Sequence, residues 1–173
     1  MRVLTSSQTA EWYTPSLYTD AVREVLGGID LDPASCAAAN EWIGATTYYT
    51  EDDDGLSKPW RGLLFINPPY GKTGSRSNQD IWASRLVSGW ANDSIHSAIL
   101  LTKSVPGYKW WDNLFRFVRP TVCFVSERIK FLRLNKYGRV IAEGQAKAGS
   151  NFWYFGYDRR LFERVFERFG RVV

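Results

Sequence analysis

The sequence has little that binds metal or makes disulfides. There is one histidine, His96, which speaks against a multi-histidine metal centre and a histidine-based catalytic triad. The two cysteines, Cys36 and Cys123, lie far apart and form no CxxC pair. They fit buried, reduced thiols of a cytoplasmic protein better than a disulfide framework or a zinc site. No bound metal is expected. No apolar run approaches the roughly 18–20 residues of a membrane helix, and the N-terminus lacks a charged-then-apolar leader. Membrane insertion and secretion are therefore not expected. Internal repeats and low-complexity tracts are also missing.

What is present suits one folded domain. The chain has 173 residues, 45% apolar and 23% charged, enough to enclose a proper core. Residues 1–10 are polar and small and read as a loose arm; residues 11–173 read as the domain. The charge is unevenly spread. Residues 1–60 hold 3 Lys/Arg against 10 Asp/Glu, a net of −7, and residues 61–173 hold 19 against 8, a net of +11. A basic surface of this kind meets phosphate, because Lys and Arg supply most non-specific nucleic-acid affinity. The alternative is a solvated charged surface.

Apolar spacing predicts helices over residues 16–27, 34–43, 80–90, 109–117 and 159–169. Strands are predicted over residues 29–31, 62–66, 97–102, 121–125, 128–132 and 151–157. Residues 51–55 read as an acidic loop, 72–79 as a polar flexible segment and 134–149 as a long polar loop. Early alternation of strand and helix, followed by crowded strands, predicts an α/β fold. The sheet would be mostly parallel with an antiparallel end.

The most informative segment is Asn67-Pro68-Pro69-Tyr70-Gly71, directly after the predicted strand 62–66. Ligands of open α/β sheets bind at the carboxyl ends of strands. Two prolines remove two backbone donors and fix two φ angles, which makes the turn rigid and leaves the Pro68 carbonyl free to accept. The Asn67 amide oxygen is a second acceptor, and Tyr70 offers an aromatic face. Two acceptors beside an aromatic plate suit a flat ligand carrying an amino group. They would hold both amino hydrogens while the nitrogen lone pair faces an electrophile, and such preorganised polarity needs no strong base. The simpler alternative is a proline turn that ends a strand.

With these residues the chain resembles the phage-type DNA N6-adenine methyltransferases. The resemblance runs from Glu11-Trp12-Tyr13-Thr14-Pro15 through Asp30-Leu31-Asp32-Pro33-Ala34-Ser35, Asp54-Gly55-Leu56 and Trp60 to Asn67-Pro68-Pro69-Tyr70. It continues through Lys109-Trp110-Trp111 and Gly149-Ser150-Asn151, and so spans about residues 11–157. It implies a Rossmann-like methyltransferase fold with helices on both faces of the sheet. It also implies S-adenosylmethionine as cofactor and transfer of its methyl group to adenine N6, with the base flipped out of the duplex.

In that resemblance Asn67, Pro68, Pro69 and Tyr70 are catalytic. Trp12, Thr14, Pro15, Asp30, Asp32, Pro33, Ala34 and Asp54 bind the cofactor, and Tyr70 and Phe131 meet the target base. One departure stands out: related enzymes usually follow the acidic-Pro-Ala turn with Cys-Gly-x-Gly, whereas this chain has Ser35-Cys36-Ala37. Read on their own, Asp30 or Asp32 is also a helix cap, Thr14-Pro15 a helix start and Phe131 a core residue.

Lys72, Arg76, Arg128, Lys130, Arg133, Lys136, Arg139 and Lys147 are the candidate phosphate contacts, or else parts of solvated connectors. The partner implied is double-stranded DNA. The length leaves little room for a separate recognition domain, so sequence choice is expected to come from these loops or from a homodimer, or to be relaxed. Location in the cytoplasm, that of a host cell for a phage-encoded protein, follows from the same resemblance. Two alternatives stay open: transfer to another amino group, on an RNA base or a protein glutamine, and a catalytically silent nucleic-acid-binding module of the same fold.

Overall fold

Short apolar runs become the inner strands of the sheet: Leu and Ile with Phe65 over Gly62–Ile66, Ile and Leu over Ile95–Lys103, and aromatics over Ser150–Phe155. A computed structural model of the chain describes residues 12–135 and 137–173; the arm at residues 1–10, Glu11 and Lys136 lie outside the described residues. Eleven strands are described: β1 (Leu31–Asp32), β2 (Thr47–Tyr48), β3 (Gly62–Ile66), β4 (Lys72–Thr73), β5 (Arg76–Ser77), β6 (Ile95–Lys103), β7 (Thr121–Val125), β8 (Lys130–Leu134), β9 (Val140–Gln145), β10 (Ser150–Phe155) and β11 (Gly170–Val172). The helices are α1 (Ser16–Leu26), α2 (Ala37–Ile43), α3 (Asn78–Ala91), α4 (Lys109–Asn113), which runs on into a π-helical turn at Leu114–Val118, and α5 (Arg159–Phe166).

Seven strands form the central sheet in the order β11-β7-β10-β6-β3-β1-β2. β2, β1, β3 and β6 run parallel, while β10 pairs antiparallel with both β6 and β7, and β11 antiparallel with β7. This is the Rossmann-like α/β fold expected, with its antiparallel end. Strands buried on both faces read as continuous apolar runs, and β6 and β10 are of that kind. Phe65, Ile99, Leu101, Phe152 and Tyr154 face one core with α1, α2 and α5. Leu64, Ile66, Leu100, Trp153 and Phe155 face the other with α3 and α4. Among the described residues no helix is long and apolar enough to cross a membrane.

The sequence expectation lacks both edge strands, β2 and β11, and three further segments differ from it. Residues 134–149 are not one long loop: β9 occupies Val140–Gln145 and pairs antiparallel with β8, Phe131 opposite Gly144. The Tyr13 backbone extends this hairpin through two 2.8 Å hydrogen bonds with Leu132. The hairpin was hidden because β9 has no apolar face; Val140, Ile141, Glu143 and Gln145 are all exposed. Residues 72–79 hold a small hairpin, β4 with β5, and the first turn of α3. The second helix starts at Ala37 rather than residue 34. The Cys36 sulfur caps it by accepting from the Ala39 N–H, so residues 33–36 stay in an open turn.

Candidate active site

The parallel register sets the carboxyl ends of β1, β3 and β6 side by side, with Leu31 level with Leu64 and Ile66 level with Leu100. A cavity of about 490 Å³ opens beyond these ends. Its walls come from Trp12 and Tyr13, from the turn Pro33-Ala34-Ser35, and from the acidic loop with Thr50, Glu51, Asp54, Gly55 and Leu56. The Asn67-Pro68-Pro69-Tyr70 turn closes it, with Thr73, Asn78 and Trp82.

Asn67 is held by its own amide. Its Nδ2 donates to the Trp12 carbonyl at 2.9 Å. That contact fixes which end of the amide is the donor, so Oδ1 is left as an acceptor. Pro68 is buried, Pro69 is exposed, and among the described residues nothing donates to the Pro68 carbonyl. The chain leaves the turn at Gly71, whose φ of +110° few side chains tolerate. Asn78 fastens that exit from the first turn of α3. Its backbone N–H donates to the Gly71 carbonyl at 3.0 Å, and its side chain reaches the Tyr70 carbonyl at 3.3 Å.

Tyr70 stands with its ring at 84° to Phe131, ring centroids 6.1 Å apart. Phe131 is buried in β8, so the hairpin backs the Tyr70 ring without itself lining the cavity. Burial pushes the Tyr70 hydroxyl up to about 12, which keeps it protonated.

The candidate cofactor residues divide. Trp12, Pro33, Ala34 and Asp54 line the cavity. Asp32 is buried behind the turn, where Oδ1 accepts the Ala34 N–H at 3.1 Å. Burial pushes its carboxyl up to about 7, against the pull of the Ala34 N–H and the nearby Ser35 hydroxyl. Asp30 lies away from the cavity: its carboxylate accepts the Leu63 N–H at 2.8 Å, at the amino end of β3. Pro15 precedes α1 as its cap residue. The Thr14 carbonyl accepts from Trp42 Nε1 at 2.9 Å, while Thr14 Oγ1 is buried without a partner among the described residues. Ser35 Oγ, in the cavity wall, is a second buried hydroxyl; it lies near enough to the Asp32 carboxyl to pull its pKa down but completes no hydrogen bond of good geometry among the described residues.

The basic residues also divide. Arg76 is engaged, with its guanidinium on Asp80 at 2.9 and 3.0 Å and on Ser84 at 3.2 Å. Lys72 is exposed on the neighbouring strand. Arg128, Lys130, Arg139 and Lys147 are exposed and Arg133 is half-buried, all in or beside the β8–β9 hairpin. Among the described residues no cluster of His, Cys, Asp and Glu is placed to hold a metal ion. Sequence reasoning missed Asn78, Trp82, Thr73 and Glu51. Asn78 and Trp82 sit four apart on α3 and so share its cavity face, a spacing legible only once the cavity is known.

A family model described as DNA N-6-adenine-methyltransferase (Dam) matches residues 3–153, most of the chain, and the chain belongs to that family. No curated protein matches it.

Proposed function

We propose that this member of the DNA N-6-adenine-methyltransferase family uses S-adenosylmethionine, held in the cavity beyond β1 and β3, to methylate adenine extruded from the duplex. Residues 11–173 act as one catalytic domain. The observation that carries the reading is the hydrogen bond from Asn67 Nδ2 to the Trp12 carbonyl, which presents Oδ1 as an acceptor beside the Pro68 carbonyl and the Tyr70 ring.

The cavity suits the cofactor. Its volume of about 490 Å³ lies in the usual range for a small-molecule site. Trp12, Trp82 and Leu56 offer apolar faces, and Glu51 and Asp54 offer carboxylates to a cationic ligand. Thr14 Oγ1, one residue beyond Tyr13 of the cavity wall, is a buried hydroxyl with no partner among the described residues; a ligand carboxylate or hydroxyl meets that need. Asp32 shapes the turn that carries Ala34 and Ser35, and Pro15 sets the start of α1 behind Thr14. Bound there, S-adenosylmethionine supplies an electrophilic methyl group on a sulfonium sulfur.

The chain's own residues do the rest. Tyr70 stacks on the extruded adenine, with Phe131 as the ring's buttress. Extrusion costs a few kcal/mol, offset by stacking and backbone contacts. Asn67 Oδ1 and the Pro68 carbonyl accept the two N6 hydrogens and turn the nitrogen lone pair toward the methyl group. The positive charge that develops on N6 falls between these two fixed dipoles, which stabilise it with no reorganisation, and N6 returns to neutrality by releasing one of its two hydrogens as a proton to water. Lys130, Arg133, Arg139 and Lys147 on the hairpin, with Lys72, meet the phosphates and set the register on DNA.

The test is transfer of methyl label from S-adenosylmethionine to adenine-unmethylated duplex DNA. Label in the DNA from the wild type and none from Asn67→Ala is the expected result. No label from the wild type refutes the proposal.

A further inference from the structure

Lys103 ends β6 beside the base seat, and nothing in the chemistry above uses it. Its main chain is fixed on two sides. The N–H donates to Gln79 Oε1 at 3.2 Å, and Ser150 of β10 is its partner in the sheet. The side chain is not fixed by any ion pair. Nζ lies 4.4 Å from the centroid of the Tyr70 ring, and among the described residues no carboxylate pairs with it. Of the two other cations after the turn, Arg76 is paired with Asp80 and Lys72 is exposed on β4, whereas it is Lys103 that stands over the Tyr70 ring. Tyr70 belongs to the cavity wall and Lys103 does not.

An ammonium on an aromatic face is held more weakly than one on an anionic oxygen. Lys103 therefore rests on Tyr70 until an anion arrives. A nucleotide whose base stacks on Tyr70 carries that anion, because a phosphodiester flanks its sugar on each side. Lysine suits such a contact because it is a point charge on a flexible stem, able to leave the ring while its backbone stays in the sheet.

We infer that Lys103 binds a phosphate flanking the extruded adenosine and so fastens the flipped nucleotide on Tyr70. The inference rests on the adenine-methylation reading of the site. Lys103 is thus a substrate-positioning residue, distinct from the hairpin cations that meet the stacked duplex.

The experiment measures the salt dependence of binding to a short duplex carrying one adenine opposite an abasic site, a probe whose adenine is already unpaired. Each neutralised phosphate adds about 0.9 to the slope of log K against log salt. Lys103→Met should bind more weakly at low salt, with a slope smaller by about one. Lys103→Arg should restore the slope, and calorimetric affinity for S-adenosylmethionine should match the wild type in both. If the methionine variant loses cofactor binding, Lys103→Gln takes its place in the same comparison. A slope equal to the wild type's, or an equal loss of affinity at every salt concentration, overturns the inference; the second result would leave Lys103 only a packing role on Tyr70. Wild-type methylation of DNA combined with either result removes Lys103's role alone. Absence of wild-type methylation removes the underlying reading.

Discussion

The side chain of Asn67 and the main chain of Trp12, 55 residues apart in sequence, are joined by one 2.9 Å hydrogen bond. The same stretch of chain ties into the hairpin, because Tyr13 exchanges two hydrogen bonds with Leu132 of β8. The amide that faces the reaction is therefore oriented by the segment that also anchors the proposed DNA-contacting hairpin. Asn67→Ala removes both the acceptor and the tie, and methyl transfer should fall by about 10²–10³-fold, the usual cost of losing one preorganised polar partner of the reacting group. Asn67→Asp keeps an acceptor but sets a carboxylate against the Trp12 carbonyl, and it should also transfer slowly. Cofactor affinity by calorimetry should stay within a few-fold in both. Full activity in Asn67→Ala would end the assigned role.

In the proposed reaction Tyr70 works through its face. Its hydroxyl, pushed up to about 12 by burial, carries no negative charge at working pH. Tyr70→Phe should keep most of the transfer rate and show the same pH profile as the wild type. Tyr70→Ala should lose about 1–3 kcal/mol of base stacking, roughly a five- to 150-fold effect seen mainly in the KM for DNA. A large loss in Tyr70→Phe would show that the hydroxyl matters and contradict this assignment.

Gly144 of β9 lies against the Trp12 indole, and a Cβ at residue 144 would collide with that ring. Gly144→Val should push Trp12 from the cavity wall. Affinity for S-adenosylmethionine should fall several-fold while the thermal transition stays cooperative. Unchanged cofactor affinity in a folded Gly144→Val would mean that Trp12 does not shape the bound cofactor.

Asp32 links the site to stability. Its folded carboxyl titrates near 7 against an ordinary value of 3.8. Between about pH 4 and 7 the unfolded chain has released this proton while the folded chain still holds it, so folding becomes less favourable as pH rises through that window. The penalty is complete above about pH 7. Asp32→Asn keeps the acceptor for the Ala34 N–H and removes the titration. Its urea midpoint should therefore gain on the wild type as pH rises from 5 to about 8. Parallel curves for the two proteins would contradict a buried, protonated Asp32.

Much of this was legible before the structure. The runs at residues 62–66 and 121–125 are β3 and β7 to the residue, because strands buried on both faces carry uninterrupted apolar sequence. The rigid turn at Asn67–Tyr70 was legible because two prolines leave the backbone few conformations. Asp30 and Asp32 were not separable. Two residues of strand, roughly 7 Å, put one carboxyl at the amino end of the sheet and the other behind the cavity, and only the register with β3 decides which. β9 was invisible for lack of an apolar face. The Lys103–Tyr70 contact depends on the register of β6 beside β3, which nothing local to either residue reveals.

The central claim is that this site delivers a methyl group to adenine N6. The most direct measurement is nucleoside analysis of DNA incubated with the purified protein and methyl-labelled S-adenosylmethionine. Wild type should place the label in N6-methyladenine alone, and Asn67→Ala should place almost none. Label on another nucleoside, or no label from a protein that binds the cofactor, would contradict the account.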